Sequence, residues 1–247
     1  MINYSIGITT YDSRFEKYLI PLINTIKSFR PNLEIILTIN GNYNEKFNQK
    51  YRQEILQFIS QNDNIFPIVY PEFRSLSKLW NTCLINSSND LVLILNDDIS
   101  ILDESFFDNL ESQSDTAFKI NGSWSHYFID RKLVSNVGWF DERLLGIGEE
   151  DGDFEFRWES KYGIPFKSIN IDHIVNHVEY DNACKNMQTV FGKYSKFNRD
   201  FMFNTKYKLD FQNGKSFGMI KEPIYKAIPD IKMYEQEEFY WNNRDKL

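Results

Sequence analysis

Leu91-Val92-Leu93-Ile94-Leu95, followed by Asn96-Asp97-Asp98, decides the fold of this 247-residue chain. Five apolar residues in a row make the most apolar strand-like run in the sequence. Such a run reads as a strand buried on both faces, and strands of that kind belong to parallel sheets covered by helices. The run stops at two carboxylates. An acidic pair directly after a buried strand is costly unless something neutralises it, and a divalent cation does so. Taken alone, Asn96-Asp97-Asp98 reads equally well as a turn, because Asn and Asp are common turn formers.

Toward the N-terminus, strand-like and helix-like stretches alternate. Tyr4 to Thr9 is β-rich, and Phe15, Leu19, Leu22, Ile23, Ile26 and Phe29 then recur at helical spacing until Pro31-Asn32. Glu34 to Ile39 reads as a buried strand closed by Asn40-Gly41-Asn42, and Phe47, Tyr51, Ile55, Phe58 and Ile59 mark a second helix. A strand from Ile65 to Tyr70 follows. A third helix turns Leu76, Leu79, Trp80, Cys83 and Leu84 inward, with Ser75 as its N-cap. This β-α-β-α-β-α-β order predicts an α/β fold, a mainly parallel sheet with helices on both faces. Ligands of such sheets bind beyond the carboxyl ends of the strands. That rule selects Thr9-Thr10-Tyr11-Asp12-Ser13-Arg14, Asn40 and Asn96-Asp97-Asp98.

Composition narrows the function classes. A hydrophobic content of 42% sustains a substantial core and excludes a disordered chain. The net charge of -7 argues against sequence-independent nucleic-acid binding, which needs a positive field. Cys83 and Cys184 match no zinc or redox spacing and read as free thiols of a reducing compartment. No apolar run reaches membrane-spanning length, and Met1-Ile2-Asn3-Tyr4 leads straight into a strand pattern, so the expectation is a soluble, cytoplasmic protein.

Toward the C-terminus, Ser123 to Ile129 is the clearest strand after the acidic pair, and Arg131 to Val137 reads as a short helix. Next comes Gly138-Trp139-Phe140-Asp141-Glu142-Arg143, and then Gly146-Ile147-Gly148-Glu149-Glu150-Asp151-Gly152-Asp153, whose glycines permit turns and whose acids open a helix that Gly163 and Pro165 end. Acids in a first turn complement the helix dipole, and Asp153 with Arg157 has ordinary i,i+4 spacing. Four like charges at one cap exceed what a dipole requires and suggest a substrate or cation to face. A strand from Phe166 to Ile171 leads to Asp172-His173-Ile174-Val175-Asn176-His177, which holds two of the three histidines. An imidazole suits a metal held mainly by carboxylate and phosphate oxygens.

The set resembles inverting glycosyltransferases of the GT-A fold, the group that includes family 2 enzymes and the related β-1,4-galactosyltransferases. The matching residues are Ile8-Thr9-Thr10-Tyr11, Asn81, Asn96-Asp97-Asp98, Gly138-Trp139-Phe140-Asp141-Glu142, Gly146-x-Gly148-x-Glu150-Asp151-x-Asp153 with Arg157, and His177. The specific part is the Gly-x-Gly-x-Glu-Asp-x-Asp stretch. Asn96 departs from the pattern, since the family's Asp-x-Asp motif usually opens with an acid.

The resemblance implies a catalytic domain over residues 1–180, with 1–100 as the nucleotide-sugar half and 101–180 as the acceptor half, and a C-terminal, mostly helical extension over 181–247. It implies that Thr9, Tyr11, Arg14, Asn40, Asn81, Asn96 and Asp97 bind the donor. Asn40 takes the base-binding position and Asp97 the ribose. Asp98 and His177 hold Mn2+ or Mg2+. Asp151 is the general base, and Glu150 orients the acceptor. Trp124 offers an aromatic face to the acceptor sugar, while His126 and His173 read as structural. The implied donor is a UDP-sugar and the acceptor a glycan or glycolipid hydroxyl, in polysaccharide biosynthesis; no nucleic acid takes part.

Two other readings stand beside this one. A catalytically inactive glycosyltransferase-like carbohydrate-binding or assembly module has Asn96 in its favour. A nucleotidyltransferase would want a glycine-rich loop after the first strand, which Thr9 to Arg14 lacks. After residue 180, Asn182 to Phe203 has helical spacing, and Glu235 to Leu247 reads as a charged, exposed end. The tail reads as an extension packed on the core; an acceptor-site lid, a dimer contact or a peripheral membrane foot are the sharper alternatives, and oligomeric state is left open.

Overall fold

β1 (Tyr4–Thr10), β2 (Ile35–Ile39), β3 (Ile65–Val69) and β4 (Leu91–Asn96) are the four apolar runs of the first half, and all pair in parallel. In the computed structural model, residues 2–42, 46–177, 196–208, 224–225 and 233–243 are described. The described residues fall into two units. The first lies within Met1–Arg74, Leu79–Leu133 and Lys167–Glu179, the second within Ser75–Lys78, Val134–Phe166 and Tyr180–Leu247.

The first unit holds the sheet. Its seven strands run in the order β3-β2-β1-β4-β7-β6-β8, where β6 is Ala117–Ile120, β7 Ser123–Asp130 and β8 Ser168–Ile169. β7 pairs antiparallel with both β4 and β6, so the sheet is mixed but mostly parallel, the α/β architecture its strand order predicts. Every residue of β1 and β2 is buried, as strands covered on both faces require. β3 lies at the edge, which tolerates Pro67 because an edge position needs no N–H. Ile6, Ile8, Leu37, Leu93, Leu95 and Phe128 meet Leu22, Ile26 and Ile55 of the helices in one continuous core.

α1 (Ile20–Phe29), α2 (Gln49–Ser60) and α3 (Leu76–Asn86) are the three helices expected from the spacing, and a short α4 (Ser105–Glu111) follows further along the chain. Two details differ from expectation or explain it. The helical pattern from Phe15 starts as a wide π-helical turn, Phe15–Leu19, in which Ile20 N–H bonds Phe15 O. Pro21 lacks the N–H for an i→i−4 bond, so regular winding begins only beside it. Ser75 caps α3 as predicted, accepting Lys78 N–H at 3.2 Å. Gly7 lets α3 approach β1: a Cβ there would lie 2.6 Å from Cys83 Cβ. The expected strand Phe166 to Ile171 shrinks to Ser168–Ile169, and a separate antiparallel pair forms between β5 (Ile99–Ile101) and β9 (Ile174–Asn176).

The second unit is built around α6 (Glu150–Tyr162), preceded by α5 (Arg131–Val137), whose last four residues belong to it. α6 ends as its sequence requires, on Gly163 at φ 71. Leu144 and Phe156 pack with Phe201, Met202 and Tyr207 in a core of their own. Residues 196–201 are helical and Met202–Lys206 forms a π-helical turn; the rest of the expected helix Asn182 to Phe203 lies outside the described residues, as does Cys184. The end of the chain is helical over Met233–Asn243.

Candidate active site

In the first unit, parallel pairing puts the ends of β1, β2 and β4 at one edge. Register aligns Thr9 with Asn96, and the Thr9 hydroxyl donates to Asn96 Oδ1 at 3.3 Å. Asp97 and Asp98 follow in a tight turn between β4 and β5, both buried. Arg14 clamps them: its Nη1 lies 2.9 Å from Asp97 Oδ1 and 2.8 Å from Asp98 Oδ2. The guanidinium also stands 5.0 Å from the Tyr11 ring and 5.9 Å from the Tyr18 ring. Burial pushes the Asp97 carboxyl up to about 6, with Arg14 opposing and Asp98 adding to the rise. Burial would lower the Arg14 pKa, but the two carboxylates outweigh it and hold the guanidinium firmly charged.

The β5–β9 pairing brings His177 to this turn. Its backbone N–H donates to Asp98 O at 2.9 Å, its Nε2 lies 2.7 Å from Ser100 Oγ, and its ring stacks obliquely on Tyr18 at 6.0 Å. Asp97 Oδ2 and Asp98 Oδ1 are buried with no hydrogen-bond partner among the described residues. Carboxylate oxygens in that state are costly, and a divalent cation is the partner their chemistry accepts. The described residues contain no group of three His, Cys, Asp or Glu able to enclose a metal. The donor set therefore suits an ion that takes its other ligands from a bound molecule and water.

Asn40 sits at the end of β2 with its side-chain amide engaged in loop structure through three hydrogen bonds. Its Nδ2 donates to Arg74 O at 3.0 Å, and its Oδ1 accepts Arg74 N–H at 2.8 Å and Gly41 N–H at 3.0 Å. It thus fixes the loop before α3. Asn81 is buried in α3. Trp124, the second residue of β7, lies at the same edge, only 8% exposed, edge-on to Tyr127 at 4.9 Å and tilted against Trp80 at 6.3 Å. His126 is buried and neutral, its pKa lowered to about 4 by desolvation, whereas His173 is exposed.

In the second unit, the acidic cluster separates into distinct environments. Gly146 (φ 63), Gly148 (φ 117) and Glu149 (φ 74) take left-handed backbone, where L side chains are disfavoured by about 1–2 kcal/mol. Glu149 stands at the cap position of α6, yet its side chain makes no cap bond and pairs instead with Arg199 Nη2 at 2.8 Å, because the left-handed backbone turns it away from the first-turn amides. Glu150 is buried and accepts Gly148 N–H at 2.6 Å. Burial pushes its carboxyl up to about 8, and Asp151 adds to the rise. Asp151 is only half-buried, accepts Gly152 N–H at 2.8 Å, and is also raised, chiefly by desolvation.

Asp153 belongs to a buried charge cluster. Arg157 Nη2 lies 2.8 Å away as the i,i+4 spacing predicts, and Lys206 Nζ at 2.5 Å and Tyr207 OH at 2.6 Å join from the C-terminal segment. Lys206 also meets Asp141 at 2.9 Å, which Arg143 holds at 2.9 Å. Burial would raise the Asp141 carboxyl, but Lys206 and Arg143 bring it well below the usual range. Lys78 and Glu142 make a further buried pair at 3.0 Å. Lys206 and Asn198 had no sequence signal, since each meets its partners at least 50 residues away.

No family model matches the sequence, and no curated protein matches it. Solved structures do. Glucosyl-3-phosphoglycerate synthase from Mycobacterium tuberculosis, solved with Mn2+, UDP and phosphoglyceric acid, aligns with a TM-score of 0.56 at 13% identity over 82% of this chain and 78% of that one. Mannosyltransferase PcManGT from Pyrobaculum calidifontis, in complex with GDP-Man and Mn2+, aligns at 0.52 and 13% identity over 68% of this chain. S. aureus TarS 1-349 aligns at 0.51 and 14% over 98% of it. The chain spans 54% of the length of the mannosyltransferase. These likenesses establish the fold as the Rossmann-like GT-A sheet of glycosyltransferases. Among the described residues no helix is long and apolar enough to cross a membrane.

Proposed function

We propose that this chain is an inverting glycosyltransferase that moves a sugar from a nucleotide diphosphate, most simply UDP, to a hydroxyl of a glycan or glycolipid. The observation that carries the reading is the buried pair Asp97-Asp98 at the carboxyl end of β4, each with one oxygen lacking a partner among the described residues. Thr9, Tyr11, Arg14, Asn40, Asn81, Asn96 and Asp97 form the donor half, and Asp98 with His177 would hold Mn2+ or Mg2+. When bound, that ion supplies positive charge to the departing diphosphate. The Mn2+ and nucleotides named for the aligned structures support this choice.

Asp151 is the base. Asp151 and Glu149 are the two partly accessible acids of the cluster, Glu149 is held by Arg199, and desolvation raises the Asp151 pKa, which makes its carboxylate a better proton acceptor. In the transfer it takes the hydroxyl proton while the acceptor oxygen bonds the anomeric carbon and the bond to the diphosphate oxygen breaks, inverting the centre. Glu150, protonated at neutral pH, orients the acceptor by donating a hydrogen bond, and Trp124 lends an aromatic edge. The test is a sugar-nucleotide panel with Mn2+. Wild type turns over at least one donor; Asp151→Asn loses about 10²–10⁴ in turnover and keeps its affinity for UDP. A wild type that binds donors without turnover is the inactive module instead, and one that responds only to a nucleoside triphosphate points to nucleotidyl transfer.

A further inference from the structure

We infer that segment 196–208 positions the loop that leads into the helix turn carrying the base, with Asn198 as its central positioning residue. This rests on the glycosyltransferase reading and goes beyond it, because it gives a role to a stretch that no motif marks. The loop needs outside support. Gly146, Gly148 and Glu149 all lie in left-handed backbone, so residues 145–149 make no repeating ladder of their own.

Asn198 supplies that support while fully buried. Its Oδ1 accepts Leu145 N–H at 2.8 Å, and its Nδ2 donates to Leu145 O at 2.9 Å and to Gly148 O at 2.7 Å. Both amide donors and one acceptor position are used. A side-chain amide is buried at little cost only when satisfied in this way. Gly148 is thereby held through its carbonyl while its own N–H binds Glu150. Arg199 grips Glu149 from the same segment, and Lys206 and Tyr207 grip Asp153. The residues on both sides of Asp151 are therefore fastened. Asp151 itself takes its hydrogen bond from Gly152 N–H and stays accessible, the arrangement expected of a reacting group on a fixed mount.

Asn198→Leu removes all three hydrogen bonds, and Asn198→Asp keeps the acceptor while losing the donors. For each full-length variant, amide exchange over 145–152, UDP affinity with Mn2+, and steady-state kcat and KM on the donor that wild type turns over are measured. The expected result for Asn198→Leu is exchange faster by about tenfold or more and kcat lower by about a hundredfold, with UDP affinity and donor KM within about twofold of wild type. Asn198→Asp falls between the two. An unchanged kcat in either variant overturns the inference, and so does a parallel collapse of kcat, KM and UDP affinity in both. A wild type without turnover sinks the glycosyltransferase reading and takes this inference with it, an outcome separate from an active wild type and an equally active Asn198→Leu.

Discussion

Glu150 shows how burial can overrule a helix dipole. At the first position of α6 the dipole and the Gly148 N–H both favour the carboxylate, yet desolvation and neighbouring Asp151 push the group up to about 8. Its folded pKa therefore lies above that of an unfolded glutamate. Stability from this difference is complete below the ordinary carboxylate range and is lost as pH rises toward about 8. Glu150→Gln cannot ionise and escapes that loss. The melting temperature of the variant relative to wild type is expected to climb between about pH 5 and pH 8, at about 2–4 °C for each kcal/mol. Thermal unfolding across that range checks it; a gap that stays level would mean that Glu150 is already ionised in the folded protein at neutral pH.

Within α6, the buried ion pair was only partly legible. Asp153 and Arg157 were readable as an i,i+4 pair, and on an exposed helix such a pair is worth about 0.3–0.5 kcal/mol. The structure buries both completely, and burial changes the consequence of breaking them. Asp153→Asn takes the ion-pair partner from the buried Arg157, which is left with the carbonyls of Val137, Gly138 and Trp139 and the more remote charge of Asp141, and is expected to cost about 3–5 kcal/mol. Lys206→Met is milder, because Asp141 keeps Arg143 and Asp153 keeps Arg157; about 1–3 kcal/mol is expected. Urea unfolding of the two variants tests the order, and a larger loss from Lys206→Met would overturn it. Nothing local announced Lys206, since its partners lie 65 residues away on Asp141 and nearer on Asp153. The boundaries of α3 and α6 were legible for the opposite reason: Ser75 and Gly163 act on the backbone next to them. The wide turn ahead of α1 was equally local, but apolar spacing alone hides what Pro21 does to the hydrogen bonds.

Across the molecule, the parallel strands were readable because apolar runs alternate with helical spacing, and β7 was readable as a strand, whereas its antiparallel place beside β4 and the pairing of β6 with β8 join segments more than thirty residues apart. The same division applies to the site. Asp97 and Asp98 were singled out by their place after β4, but the Arg14 clamp on both carboxylates was not foreseen, because spacing cannot tell a nucleotide ligand from a resident ion pair. The clamp gives Asp98 two possible uses: ligand for a divalent ion, or anchor for Arg14. Asp98→Asn separates them. If Asp98 faces the ion, the variant binds UDP as well as wild type does in EDTA and loses about tenfold, or 1.4 kcal/mol, only when Mn2+ is present. If Asp98 serves by holding Arg14, the loss is the same with and without Mn2+. Calorimetric titration of UDP into both proteins under both conditions gives the answer. The ligand reading requires the metal-dependent pattern, since a carboxylate that contributes equally in chelator makes its contribution through the guanidinium it already holds.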